Sequence, residues 1–371
     1  MRARRGVAAD AVGPVVASAV SAANAMGAIK PVYLLDMRLK KGAAMRCRIW
    51  QTSRRRFGAR MAPRDLFRVA TFNVRRFTDR SKQDASAAVV GALRQLPQPL
   101  SLLALTEVDV GLRPRALSEV GDALGLPHCS FFGHAFDGRY GNALLSAMPI
   151  ASESGVHLDG GSILEFRGAR KRIARGLLLA STVLRSVAAR EGGGGEPSSL
   201  PVRVGVTHWD HISEAERAVQ AAHTLRALGP PAEQHCLLLG DLNALDASDY
   251  TPDEWAAHVA HNASRGWGAP VDSAAAGGCL DALRSAGFAD CARLALHDGA
   301  QWTAPPWTAH AHSPASPRYR IDYVQARGPA GGASLEPLSA AVGIASSDEA
   351  SDHSPVAVEF GLRVARAAGR L

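Results

Sequence analysis

The chain has 371 residues, 47% hydrophobic and 20% charged, which supplies apolar surface for a sizeable core and excludes a chain disordered throughout. Its formal net charge is +8, but residues 1–67 hold 14 Lys/Arg against 3 Asp/Glu, leaving 28 against 31 in the remainder. The overall basicity is therefore no argument that the folded part binds nucleic acid, and no run of about 18 uninterrupted apolar residues is present to span a membrane.

Residues 1–67 read as a separate basic leader, rich in Ala and Arg, with a late cluster at Arg54, Arg55 and Arg56. Three readings fit: a chloroplast or mitochondrial transit peptide, a disordered tail, or translation starting at Met61. From Arg68 the pattern becomes regular. Residues 68–74 alternate like a strand. Ala85 to Leu96 predicts a helix stopped by Pro97, Leu102 to Val108 a buried strand, and Pro114 to Leu124 a second helix ended by Gly125 and Pro127. Asn142 to Ser146 and Gly176 to Leu184 are the next strands. The Gly192–Ser199 stretch is a flexible loop between Leu177–Leu184 and Val202–Thr207, which pair as a hairpin. Ser213-Glu214-Ala215-Glu216 opens a helix as a capping box, and Gly229-Pro230-Pro231 closes it. Cys236 to Gly240 is a buried strand. Pro252 to His261 and Leu280 to Ala286 are helical, and Tyr319 to Gln325 and Pro355 to Leu362 are the last strands. One α/β domain over 68–365 follows, with a mostly antiparallel sheet in a layered core and a short tail at 366–371.

The five cysteines, Cys47, Cys129, Cys236, Cys279 and Cys291, form no CxxC pair and no zinc-ligand spacing. Reduced, buried thiols and an intracellular, reducing compartment are expected. A monomer is the expected state.

Several apolar strands end in residues foreign to a core. Glu107 follows Leu103-Ala104-Leu105-Thr106, His208 follows Val206-Thr207, and Asp241 and Asn243 follow Leu237-Leu238-Leu239-Gly240. Asp322 interrupts the alternation Arg320–Val324, Asp352-His353 precedes the final strand, and Asn73 closes the first. A buried charge costs several kcal/mol unless paired or metal-bound. Carboxylate or imidazole at five strand ends therefore points to convergence on one site. Oxygen donors with few thiols favour Mg²⁺ or Mn²⁺ over zinc.

These residues, in this order, resemble the endonuclease/exonuclease/phosphatase superfamily, also called DNase I-like, from about Arg68 to Phe360. The matching segments are TFNV at 71–74, LTEV at 105–108, YGNALLS at 140–146, THWDH at 207–211, GDLNA at 240–244, RIDYV at 320–324 and SDHSPV at 351–356. Thr106 stands where Gln is common in the family, and Trp209 where Leu is common. The resemblance implies a four-layered α/β sandwich, two mixed β-sheets face to face with helices outside. It implies that Glu107 is the main metal carboxylate with Asn73 beside it and Asp352 as a second metal or water contact. It further implies that Asp241 positions and deprotonates the attacking water and that Asn243 holds the phosphate or the nucleophile. His353 would contact the scissile phosphate, its tautomer set by Asp322, and His208 would protonate or stabilise the leaving oxygen. Arg175, Asn142 and Trp307 are the expected substrate contacts. His211 and Asp210 share the His208 loop.

The implied activity is hydrolysis of a phosphodiester, Mg²⁺- or Mn²⁺-dependent, in nucleic acid. Alternatives are a phosphomonoesterase or phosphodiesterase acting on a small metabolite or lipid headgroup, and an inactive binding module. Ala244-Leu245 and Ile321-Asp322-Tyr323 lack the aromatic-basic and Cys-Asp-Arg signatures of inositol 5-phosphatases. Gly240 to Trp255 resembles poorly characterised plant and algal members.

Overall fold

Period-two alternation builds the core. In β1 (Leu66–Asn73) Phe67 and Val69 face one side, and Ala70 and Phe72 the other. Both faces are apolar because both are covered, so the strand reads as nearly continuous hydrophobic sequence. The computed structural model describes residues 66–166, 168–186, 199–230, 234–297, 302, 307–310, 317–329, 334–343 and 349–363. The expected leader, apart from Leu66 and Phe67, lies outside these residues, as do the Gly192–Ser198 part of the loop and the 366–371 tail.

After β1 come α1 (Ser86–Leu93), β2 (Leu102–Asp109), α2 (Ala116–Leu124), β3 (His128–Ala135), β4 (Tyr140–Ser146) and β5 (Ser152–His157). A small ribbon, β6 (Ile163–Phe166) with β7 (Ala169–Arg172), leads to β8 (Gly176–Arg185), β9 (Ser199–His208), α3 (Glu214–Leu228) and β10 (His235–Asp241). Then follow α4 (Pro252–Ser264), α5 (Cys279–Ser285), β11 (Ala289–Asp290), α6 (Cys291–Leu296), β12 (Ala309–His310), β13 (Arg318–Tyr319), β14 (Asp322–Arg327), β15 (Ser334–Val342) and β16 (Val356–Arg363).

Two six-stranded sheets result, in the orders β15-β16-β1-β2-β4-β3 and β11-β14-β10-β9-β8-β5. Each contains one parallel pair, β1 with β2 and β9 with β10, among antiparallel neighbours. One cluster fills the space between the sheets: Val69, Leu102 and Leu144 from one side, Val206, Leu237, Leu239 and Val324 from the other. A second joins the outer face of the first sheet to Val89 and Leu93 of α1 and Val120 of α2. A third joins the outer face of the second sheet to Ala221 and Leu228 of α3 and Leu280 and Leu283 of α5. These layers are the expected four-layered sandwich.

Local departures have local causes. The first helix stops at Leu93, and Gln95 and Leu96 donate to Ala92 and Leu93 in a tight turn before Pro97. Ser213 caps α3 by accepting from Glu216 N. Glu216 does not reach back to complete the box; its Oε2 accepts from Gly161 N at 2.6 Å, and Ser213 N goes to Asp210 instead. A complete capping box occurs at Thr251/Glu254, ahead of α4. The predicted strand Tyr319–Gln325 is broken. Arg318–Tyr319 pairs with Ala309–His310, and only Asp322–Arg327 joins the main sheet. Buried Arg320 causes the break: its Nε donates to Asp249 Oδ2 at 2.6 Å and its Nη2 pairs with Asp290 at 2.8 Å. Of the strands not anticipated, β3, β5, β11 and β15 lie at the edges of the two main sheets, and β6, β7 and β12 lie in two-stranded ribbons. β5 is almost wholly exposed, and β15 carries a bulge at Pro337.

Candidate active site at the strand ends

Sheet register assembles the site. β9 and β10 run parallel and end together, with His208 opposite Asp241. β14 runs against β10, so its first residue, Asp322, is also opposite Asp241. In the other sheet the parallel pair sets Asn73 opposite Thr106, beside Glu107. β16 runs against β1, and Ser351 Oγ ties the turn before it to Asn73 O at 2.8 Å. Among the residues in the left-handed region are Glu107 at φ 57° and Asn243 at φ 49°. Glu107 lies at the bulge between Leu105 and Val108 in the β2–β4 pairing, a common device for re-aiming a side chain.

Asn73 is the hub. Its Oδ1 accepts from Arg75 N at 3.0 Å, which fixes the amide so that Nδ2 is the inward atom. Nδ2 donates to Glu107 Oε1 at 3.1 Å and to Asp241 Oδ2 at 3.0 Å, and lies 3.4 Å from His353 Nε2. His353 Nδ1 meets Asp322 Oδ2 at 2.8 Å. His208 Nε2 is 3.4 Å from Asp241 Oδ2. Asp241 is thus flanked by two imidazoles.

The flanking imidazoles carry opposite character. Burial by itself would lower the basicity of His353, but the carboxylates of Asp322, Asp241 and Asp352 hold its imidazolium well above the ordinary value. Burial lowers His208 well below the ordinary value, and the Arg175 guanidinium adds to it, so this ring is neutral. Burial and the nearby Asp322 raise the Asp241 carboxyl to about 7. Such a divergence between neighbours is characteristic of acid–base sites.

The donor set fits a hard divalent cation. Asp241, Asp322 and His353 place one ligand atom each within 4.8 Å of one another, and the mutual hydrogen bond of Asp322 and His353 takes up Asp322 Oδ2 and His353 Nδ1. Glu107 and Asp352, both partly exposed, offer further carboxylate oxygens. Asp322 Oδ1 is buried with no hydrogen-bond partner among the described residues. Oxygen-rich donors without thiolate suit Mg²⁺ or Mn²⁺. Asn73, expected among the metal ligands, turns an N–H to the carboxylates, and a donor cannot ligate a cation; it orients them instead.

Other expected residues stand as follows. Asn243 is anchored through its N to Asp241 Oδ1 at 3.0 Å and its Nδ2 to Trp209 O at 3.1 Å. Among the described residues its Oδ1 has no partner, and this acceptor suits a water rather than a phosphate oxygen. Asp352 Oδ1 is 4.0 Å from Arg75 Nη1. Asn142, an expected substrate contact, has 0% exposure. Its Nδ2 ties β4 to Gly176 O at 2.8 Å and to Val206 O at 3.3 Å, so it staples the two sheets together. Arg175, expected on a phosphate oxygen, turns its fork to His208 and His211. Trp307 stacks on Tyr250 with centroids 5.4 Å apart, and that packing takes one face of the ring. Buried Asp210 shapes the loop, accepting from Ser162, Ile212 and Ser213. Trp209 is fully buried, with Nε1 on Thr224 Oγ1 at 3.3 Å.

Sequence reading passed over Tyr140, a largely buried phenol whose proton is held by burial and by the fields of Glu107 and Asp241. Its place in the YGNALLS segment was the available signal. It also passed over Arg75, whose position beside Asp352 no local pattern marks.

A family profile described as the endonuclease/exonuclease/phosphatase family matches residues 70–353. No curated protein gives a match. Among solved structures, an endonuclease/exonuclease/phosphatase from Beutenbergia cavernae superposes with TM-score 0.50 at 19% identity, covering 81% of this chain and 72% of that one. One from Bacteroides vulgatus does so with TM-score 0.50 at 16% identity, covering 80% and 99%. At these identities the likeness is one of fold.

Proposed function

The chain belongs to the endonuclease/exonuclease/phosphatase family, and from that premise we propose that it hydrolyses phosphodiesters in nucleic acid with the help of a divalent cation. The observation that carries this reading is the buried carboxylate of Asp241, set between a cationic and a neutral imidazole.

Asp241, raised to about 7, is poised to take a proton from water near neutrality. Asn243 Oδ1 accepts the water's other hydrogen and fixes its direction. His353, charged and held by Asp322, binds a non-bridging phosphate oxygen through Nε2–H. His208 is neutral, so it stabilises the leaving oxygen by donating a hydrogen bond rather than by giving up its proton. The leaving alkoxide then takes a proton from solvent. A Mg²⁺ or Mn²⁺ ion held by Glu107 and Asp352 would supply Lewis-acid stabilisation of phosphate charge. The polyanionic substrate is supported by β7, where Arg170, Lys171 and Arg172 are all exposed a few residues before Arg175.

The test is a substrate panel on the purified chain, with and without EDTA: single- and double-stranded DNA, oligo(A) RNA, inositol phosphates and sphingomyelin. The expected result is cleavage of DNA or RNA, abolished by EDTA, restored by Mg²⁺ or Mn²⁺, and weakened steeply by salt. Activity confined to inositol phosphates or sphingomyelin would replace this reading by the small-substrate one.

A further inference from the structure

Arg175 is 5% exposed and divides its fork between two rings. Nη1 lies 3.2 Å from His208 Nδ1, and Nη2 lies 3.1 Å from His211 Nδ1. A guanidinium has donors and no acceptor. Both Nδ1 atoms are therefore acceptors, and each neutral ring carries its proton on Nε2. One arginine sets two histidines to the same polarity.

The two rings differ in surroundings. His208 is buried and turns Nε2 toward Asp241. His211 is an exposed residue, and among the described residues no group pairs with its Nε2. Its backbone is nonetheless held firmly. Asp210, with 0% exposure, accepts from Ile212 N, Ser213 N, Ser162 N and Ser162 Oγ at 2.8 to 2.9 Å. Arg217 Nη1 closes the loop on Asp210 O at 3.0 Å. An exposed imidazole fixed at its inner nitrogen and on a braced loop is preorganised to offer its outer N–H. A fixed cation stands directly behind it, so the ligand favoured there is an anion.

The geometry points to His211 as the contact for a second phosphate, the neighbour of the scissile one along a nucleic-acid strand, with Arg175 as the positioning residue for both histidines. This rests on the nucleic-acid reading above. A substrate with one phosphodiester offers His211 nothing to hold; a strand does. His211 thereby favours strands over small diesters.

The experiment compares kcat/KM on a single-stranded oligonucleotide with kcat/KM on bis(4-nitrophenyl) phosphate. In His211→Ala the ratio of strand to small diester should fall about ten-fold, the loss of one hydrogen bond to a charged group, with the change in KM exceeding that in kcat. His211→Gln, whose amide still offers an N–H, should recover part of the ratio. A ratio that stays at the wild-type value in His211→Ala, or a Gln variant as defective as the Ala one, overturns the proposal. If the wild type hydrolyses the small diester and no oligonucleotide, the nucleic-acid reading itself fails and this inference with it.

Discussion

Asp241 shows how far one residue's chemistry was readable. A carboxylate after three leucines is costly to bury, which marked it as functional from sequence. That it lies between two imidazoles of opposite character depended on partners far along the chain, Asn73 at a separation of 168 residues among them. The crowding has a measurable consequence. Asp241 is 1% exposed and shares its surroundings with Asp322, so ionising it opposes folding. Asp241→Asn should lower kcat by about 10³-fold while raising the melting temperature measured in EDTA. An Asn variant that keeps activity removes Asp241 from the chemistry, and one that melts lower contradicts the crowding.

The strand ends carry the site, and their geometry has little slack. Gly240 takes φ 135°, and a Cβ there would sit 1.9 Å from Thr207 O of the paired strand. Only glycine lets β9 and β10 close up just before His208 and Asp241. Gly240→Ala should cost about 3 kcal/mol or more through strain and strand separation, seen as a lower urea midpoint, and it should also displace Asp241. A midpoint within experimental scatter of the wild type would show that the pairing tolerates the methyl group. The same scale explains the misread strand before Asp322. Arg320 looked like one more position in an alternation. Its guanidinium is instead the centre of a buried ion network with Asp249 and Asp290, extended by Arg293 and Asp246. The network anchors the chain directly ahead of Asp322, and its members come from elements about 30 to 70 residues apart.

At the scale of the whole molecule, the fold buries histidines that water would charge. Burial lowers His258 to about 4, and burial with the Arg175 and His157 charges lowers His134 to about 3. His258 is 1% exposed and meets Tyr250 and Tyr319 edge-on. In the unfolded chain both rings take up protons near 6.5, so the unfolded state binds more protons below that pH. Their contribution to stability is whole above about 6.5 and is lost progressively as pH falls toward their folded values. By pH 5 each should cost about 2 kcal/mol. Thermal unfolding between pH 7.5 and 5 should show a steep decline in the wild type and a shallower one in His258→Phe. Parallel curves would exclude His258 as a source of the decline.

Sequence by itself determined most of the strand and helix pattern of the core, though not α6 or β15, together with the family resemblance and the residue types of the site. These are legible because apolar period, capping chemistry and charged residues at strand ends are local properties of the chain. Edge strands such as Ser152–His157 escaped, since an exposed edge imposes no apolar alternation. Tertiary structure alone decided which atom of each polar side chain is free. It assigned Asn142 to stapling the sheets, Arg175 to two imidazoles, and the Asn73 amide nitrogen to the carboxylates. Hydrogen-bond partners are chosen by strand register and proximity across the two sheets, and no local stretch of sequence contains that information.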